Sequence, residues 1–207
     1  LAWGKYYFPE KFSLDYCYEM HQYLVDTCEL ELTNTLAPRR HGKTTMRCFL
    51  APIFLALNFP EKYKHYLNAQ STIGKAVGVN LSIRFELEQN ELLIRDYGDQ
   101  VTRDKWTEKQ FVLANGVIFS AISAGESSRG FNYRNIRPDY LIADDLYDDN
   151  CIENADAVAK VNSWFKSTVF QMMATDRPTC KHLLGTAMSR TDLLHHYAKD
   201  DRWNFKK

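Results

Sequence analysis

The run Leu30 to Thr45, LELTNTLAPRRHGKTT, decides the architecture. Leu30 to Leu36 reads as a short strand. It passes directly into Ala37-Pro38-Arg39-Arg40-His41-Gly42-Lys43-Thr44, which follows the pattern G-x-x-x-x-G-K-[ST] with Ala37 in place of the first glycine. From Lys43 to about Asn58 the chain reads as a helix, with Pro52 predicted to kink it or make it locally irregular. Strand, loop and helix in this order bring backbone amides and the positive end of a helix to one anion. Gly42 permits the turn, Lys43 can reach the outer phosphates of a nucleotide, and the Thr44 hydroxyl can ligate Mg²⁺. The competing reading is a chance Gly-Lys-Thr opening a helix, against which the flanking strand and helix both argue.

A phosphate loop needs a carboxylate for its metal. Tyr140-Leu141-Ile142-Ala143 is a short apolar run that ends abruptly in Asp144-Asp145, as a buried parallel strand does when it delivers acids at its C-terminal edge. By register Asp144 would hold the Mg²⁺ shell, and Asp145 would orient and polarise an attacking water. Asp148 and Asp149 follow closely and are read as caps of the next helix.

Outside these motifs, a helix is predicted over 13 to 28 with Ser13 as its cap and Asp15 in its first turn. Tyr63 to Ala69 reads as a strand. A long helix starts at Ser71, with Ile73, Ala76, Val77, Leu81 and Phe85 predicted on its buried face. Asn115-Gly116 marks a turn before a strand from Val117 to Ser123. A helix over 153 to 173 carries Val158, Val161, Phe165, Thr168 and Met172 on one stripe. Lys181 to Thr186 supplies a further strand, and Leu193 to Lys199 a last helical turn or two. Strands alternating with helices predict an α/β fold with a mainly parallel central sheet and helices on both faces.

With 207 residues, one domain spanning 1–207 is expected. A content of 45% hydrophobic and 25% charged residues excludes long disorder and collagen-like repeats. No apolar run is long enough to span a bilayer, and LAWGKYYFPEKF lacks the layout of a secretion signal, so no membrane association and a cytosolic setting are expected. Cys17, Cys28, Cys48, Cys151 and Cys180 are scattered and never paired as C-x-x-C, which fits buried thiols rather than disulfides. Lys+Arg and Asp+Glu balance at 26 each, so no global basic field exists to hold nucleic acid. Neither H-E-x-x-H nor G-x-S-x-G occurs, which leaves nucleotide-bound Mg²⁺ as the expected metal.

Taken together, APRRHGKTT, LIADDLYDD and HLLGTAMSRTDLL resemble the large terminase subunits of tailed bacteriophages. The intervening NGVIFSAISAGESSRGFNYRNIRPDYLIADD and WFKSTVFQMM are similar to that family's loop before the acidic strand and the helix after it, so the resemblance covers nearly the whole chain. It implies a P-loop NTPase of the RecA-like (ASCE) type that hydrolyses ATP with Mg²⁺ to drive double-stranded viral DNA into a procapsid. Its setting would be the cytoplasm of the infected bacterial host. The implied partners are a homo-oligomeric ring on the portal protein and the small terminase subunit. The family's C-terminal nuclease domain is absent from this chain, which ends at WNFKK, so DNA cleavage is not expected.

The resemblance also implies roles residue by residue. Arg39 or Arg40 would neutralise phosphate charge, and Ala37, Pro38, His41 and Thr45 would complete the loop around the nucleotide. Thr186 would sense the outermost phosphate. Arg129 would act in trans on a neighbouring subunit, with Arg134 and Arg137 as rivals. Gln22, in MHQYLVD, reads either as an adenine contact or as a plain exposed helix residue. Tyr7 and Phe8 read either as base-stacking or as core aromatics. Many such motors carry Glu at the position of Asp145, which is one methylene shorter. Two other classes remain: a helicase-like translocase or small-molecule kinase on the same loop, and a nucleotide-binding assembly scaffold without turnover.

Overall fold

The computed structural model describes residues 1–12, 19–127, 131–186 and 188–207. Among these the strands are β1 (Leu32–Leu36), β2 (His65–Gln70), β3 (Gln110–Val112), β4 (Ile118–Ser123), β5 (Tyr140–Asp144), β6 (Cys180–Gly185) and β7 (Asn204–Lys206). They form one seven-stranded sheet in the order β3-β4-β2-β5-β6-β1-β7. Only the β3–β4 pair is antiparallel; every other pair is parallel. The fold is therefore α/β with a mostly parallel sheet.

Helices α1 (Ala2–Tyr7), α2 (Glu19–Asp26), α3 (Ala51–Asn58), α4 (Ile73–Gln89) and α5 (Glu91–Tyr97) precede β3. After β5 come α6 (Asp149–Ile152), α7 (Ala155–Trp164), α8 (Phe170–Met172) and α9 (Leu193–Tyr197). Alternation along the strands sorts their side chains into two cores. Tyr66, Phe119, Tyr140, Ile142 and Leu184 face a cluster with Met46, Phe49, Ile53, Ile83 and Leu87, while Leu67, Leu141, Ala143 and Leu183 face Val158, Phe165, Val169, Leu194 and Tyr197. Burial on both faces explains why β5 is a continuous apolar run rather than an alternating one.

Several expectations need correction. The predicted 13–28 helix is seen as α2; its proposed Ser13 cap and Asp15 lie outside the described residues. The helix at Lys43 does run to Asn58, but Thr45–Leu50 is π-helical, and the Ala51 amide reaches back to the Met46 carbonyl. Pro52 follows directly and has no amide to donate, so the wider turn absorbs the irregularity predicted at this proline. In α4 the predicted face holds only in part: Ala76 is buried, but Ile73, Leu81 and Phe85 are exposed, Phe85 at 61%, and the helix begins at Ile73 with Thr72 as its cap. Asn80, Ile83, Glu86 and Leu87 share the buried face with Ala76. Polar groups hold inward positions because they are bonded there: Asn80 Nδ2 donates to the Glu108 and Lys109 carbonyls, and Glu86 meets Lys11 and Asn90. Strands β3 and β7 were not anticipated. The predicted helix over 153 to 173 is α7, a second π-helical stretch at Phe165–Val169, and α8.

Candidate functional site

Adjacent strands β5, β6 and β1 end at the same edge of the sheet, where open parallel sheets hold ligands. Two backbone bonds and one from a backbone amide to a carboxylate join the segments leaving them. Ala37 N donates to Gly185 O at 3.0 Å, Asp145 N to Leu184 O at 3.1 Å, and Thr186 N to Asp145 Oδ1 at 3.0 Å.

From β1 the chain enters the 37–42 loop. Ala37 is buried, whereas Pro38, Arg39, Arg40 and His41 are exposed. Gly42 has φ 68°, where glycine is the natural occupant, and Arg40 adopts φ 66° despite its side chain. Left-handed residues on either side of His41 give the alternation that turns amides toward a common centre. His41 Nδ1 donates to Arg39 O at 2.9 Å, and the helix starts as Met46 N donates to Gly42 O at 2.9 Å.

Lys43 is only 5% exposed, with Nζ 3.3 Å from Asp145 Oδ2 and 3.3 Å from Thr186 Oγ1. The Thr44 hydroxyl donates to Asp144 Oδ2 at 2.5 Å. Burial, then the neighbouring Asp145 charge, pushes the Asp144 carboxyl up to about 6, against the opposing pull of Thr44 and Lys43. Asp144 Oδ1 is buried without a hydrogen-bond partner among the described residues. A buried acid oxygen with an unmet lone pair, next to a threonine hydroxyl, is the donor set a hard divalent cation takes. Among the described residues no group of three or more His, Cys, Asp or Glu is placed to hold a metal ion. A cation here would therefore draw further ligands from outside the protein. Asp145, with φ 42°, is bent out of the strand toward Lys43.

The other predicted residues fare unevenly. Thr45 lies in the π-helical turn and, with Thr44, Lys11, Phe49, Val79 and Ser82, lines a cavity of about 350 Å³. A larger cavity of about 410 Å³ beside α1 and α2, lined by Trp3, Val25, Leu50 and Phe54, offers no comparable chemistry. Arg39 is exposed and pairs with Asp149 at 3.3 Å. Asp148 caps α6 as expected, accepting from Cys151 N at 2.7 Å. Gln22 is exposed and donates to Asp26 of its own helix at 2.6 Å. Tyr7 and Phe8 are both packed in the core. Arg129 lies outside the described residues. Arg137 donates to Gln171 O and precedes β5, at the opposite end of that strand from Asp144; Arg134 pairs with Asp104.

Four residues escaped the sequence reading. His21 of α2, 4% exposed, donates from Nε2 to the His41 carbonyl at 2.9 Å. The Cys48 thiol lies 3.6 Å from Asp144 Oδ2, and burial holds it well above the ordinary thiol range. Fully buried Arg47 donates to Thr27 Oγ1 at 2.8 Å, adding positive charge to the helix that begins at the loop. A side chain on Gly185 would come within 2.7 Å of Leu194 Cδ1 and 3.3 Å of Asp145 Oδ1, so a glycine there keeps the acid against the Thr186 amide. Only Gly185 left a trace, in the Gly-Thr pair.

Among the described residues no helix is long and apolar enough to cross a membrane. No model of a known protein family matches the chain, and comparison with curated proteins finds no match either.

Proposed function

We propose that this chain is a P-loop NTPase domain of the RecA-like type that hydrolyses Mg-ATP as the motor of a large terminase, moving double-stranded DNA into a procapsid. One observation carries the proposal. Lys43, the Thr44–Asp144 pair, Asp145 and Thr186 converge at one sheet edge, beside a loop with two left-handed residues.

Lys43 and the loop amides bind the triphosphate tail, and the helix start adds favourable potential. Thr44 and Asp144 would hold the Mg²⁺, whose charge offsets that developing on the phosphates during transfer. To reach a phosphate, the Lys43 ammonium gives up its contact with Asp145. The freed carboxylate then orients a water and accepts its proton, so the base is uncovered when the phosphates arrive. Thr186 touches Lys43 through its hydroxyl and Asp145 through its amide, and so registers both exchanges. A ring of copies, with Arg129 of one acting on the next, a portal and a small subunit complete the assembly.

Hydrolysis measured without an acceptor, with and without duplex or single-stranded DNA, tests this. Asp145→Asn should keep Mg-ATP binding and lower turnover by at least about 100-fold. Lys43→Ala should abolish detectable binding. Turnover equal to wild type in both variants would end the proposal, and stimulation by single strands alone would favour a helicase-like enzyme.

A further inference from the structure

We infer that His21 is a positioning residue for the phosphate loop, presetting the direction of the Gly42 amide by holding the carbonyl of the same peptide unit. The inference deepens the nucleotide-binding role proposed above and rests on it.

His41 O can only accept, so His21 Nε2 must carry the proton in their 2.9 Å contact. The peptide that contributes this carbonyl also contributes the Gly42 N–H. The described residues contain no cis peptide, and in a trans unit C=O and N–H point in opposite directions. Drawing the carbonyl toward α2 therefore turns the Gly42 amide away from α2, toward the open side of the loop.

The tether matters because of its position. Gly42 has no side chain to resist rotation of its preceding peptide plane, so an untethered loop would sample both orientations and present the carbonyl to an anion part of the time. A carbonyl facing a triphosphate repels it; an amide attracts it. His21 can act as a fixed post because it is buried, on a helix anchored by Leu24 and packed against the π-helical turn that follows the loop. Ordering the loop before binding removes a cost otherwise met from binding energy.

Calorimetric titration of wild type, His21→Gln, His21→Asn and Lys43→Ala with Mg-ATP and with Mg-tripolyphosphate tests this, thermal melting serving as the check on folding. A glutamine amide can reach the place of Nε2; an asparagine amide is one methylene too short. His21→Gln should bind both ligands within about twofold of wild type. His21→Asn should lose about three- to tenfold for both alike, raising KM with kcat little changed. Wild-type affinity in His21→Asn, loss confined to ATP, or equal loss in both variants would overturn the inference. Should the variants not fold, the Gly42 amide proton of wild type still decides: tripolyphosphate should shift it strongly downfield, and no shift would refute the inference. If Lys43→Ala binds tripolyphosphate as wild type does, nucleotide binding itself is wrong; if that variant fails while His21→Asn binds normally, only the role of His21 is.

Discussion

On the mechanism proposed above Asp145 faces two demands, because its carboxylate neutralises the buried Lys43 ammonium yet would have to be free to handle a water. Removing its charge while keeping its shape separates these. Asp145→Asn retains an oxygen for the Thr186 amide and a residue type tolerant of φ 42°, but no longer competes for Lys43. It should bind Mg-ATP roughly fivefold more tightly than wild type, an exchange of about 1 kcal/mol for a partly exposed ion pair. Calorimetry giving equal or weaker affinity would show that Lys43 does not have to leave the acid. At this scale the clustering was legible: Lys43, Thr44, Asp144 and Asp145 were named from spacing and strand register and Thr186 from the resemblance, and the five lie together. His21 was not, because its role depends on which carbonyl it meets across a gap of 20 residues, and no local pattern encodes that.

Among elements, α4 is instructive. Its apolar residues trace a helical stripe, but the sheet buries a different one, because Asn80 and Glu86 find partners inside while Ile73, Leu81 and Phe85 remain exposed. Periodicity counts greasy residues and is blind to polar ones that are satisfied when buried. Ile83→Ala should therefore cost about 2–4 kcal/mol in urea unfolding, and Phe85→Ser within about 0.5 kcal/mol; similar losses would restore the stripe read from sequence. Strands β2, β3 and β4 share a buried relay in which Gln110 donates to Ser120, Ser120 to His65 Nε2, and His65 Nδ1 to Ile136 O. Burial pushes the His65 imidazole down from 6.5 to about 4. Between those values the unfolded chain takes up a proton that the folded chain refuses. His65 therefore contributes stability that is intact above 6.5 and lost as pH falls toward 4, up to about 3 kcal/mol in all. Denaturant melts from pH 7 to 4.5 should show a shallower decline in His65→Gln than in wild type; equal slopes would assign the acid sensitivity elsewhere.

For the whole molecule, the alternation of strands and helices was enough to predict a mostly parallel sheet covered on both faces. Its edges were not readable. β3 and β7 are three residues each, too short for any pattern, and are recruited by the strands beside them. Strand order was equally hidden, and it bears on biosynthesis. The strand that launches the loop, at 32–36, is flanked by segments from 180–185 and 204–206, so it has no neighbours in the sheet until those later residues have been translated. Such long-range closure is slow and leaves an early strand unprotected. The loop thus gains its flanking strands late, and a product stalled or clipped before residue 180 would retain the Gly-Lys-Thr sequence without the strands that give it shape.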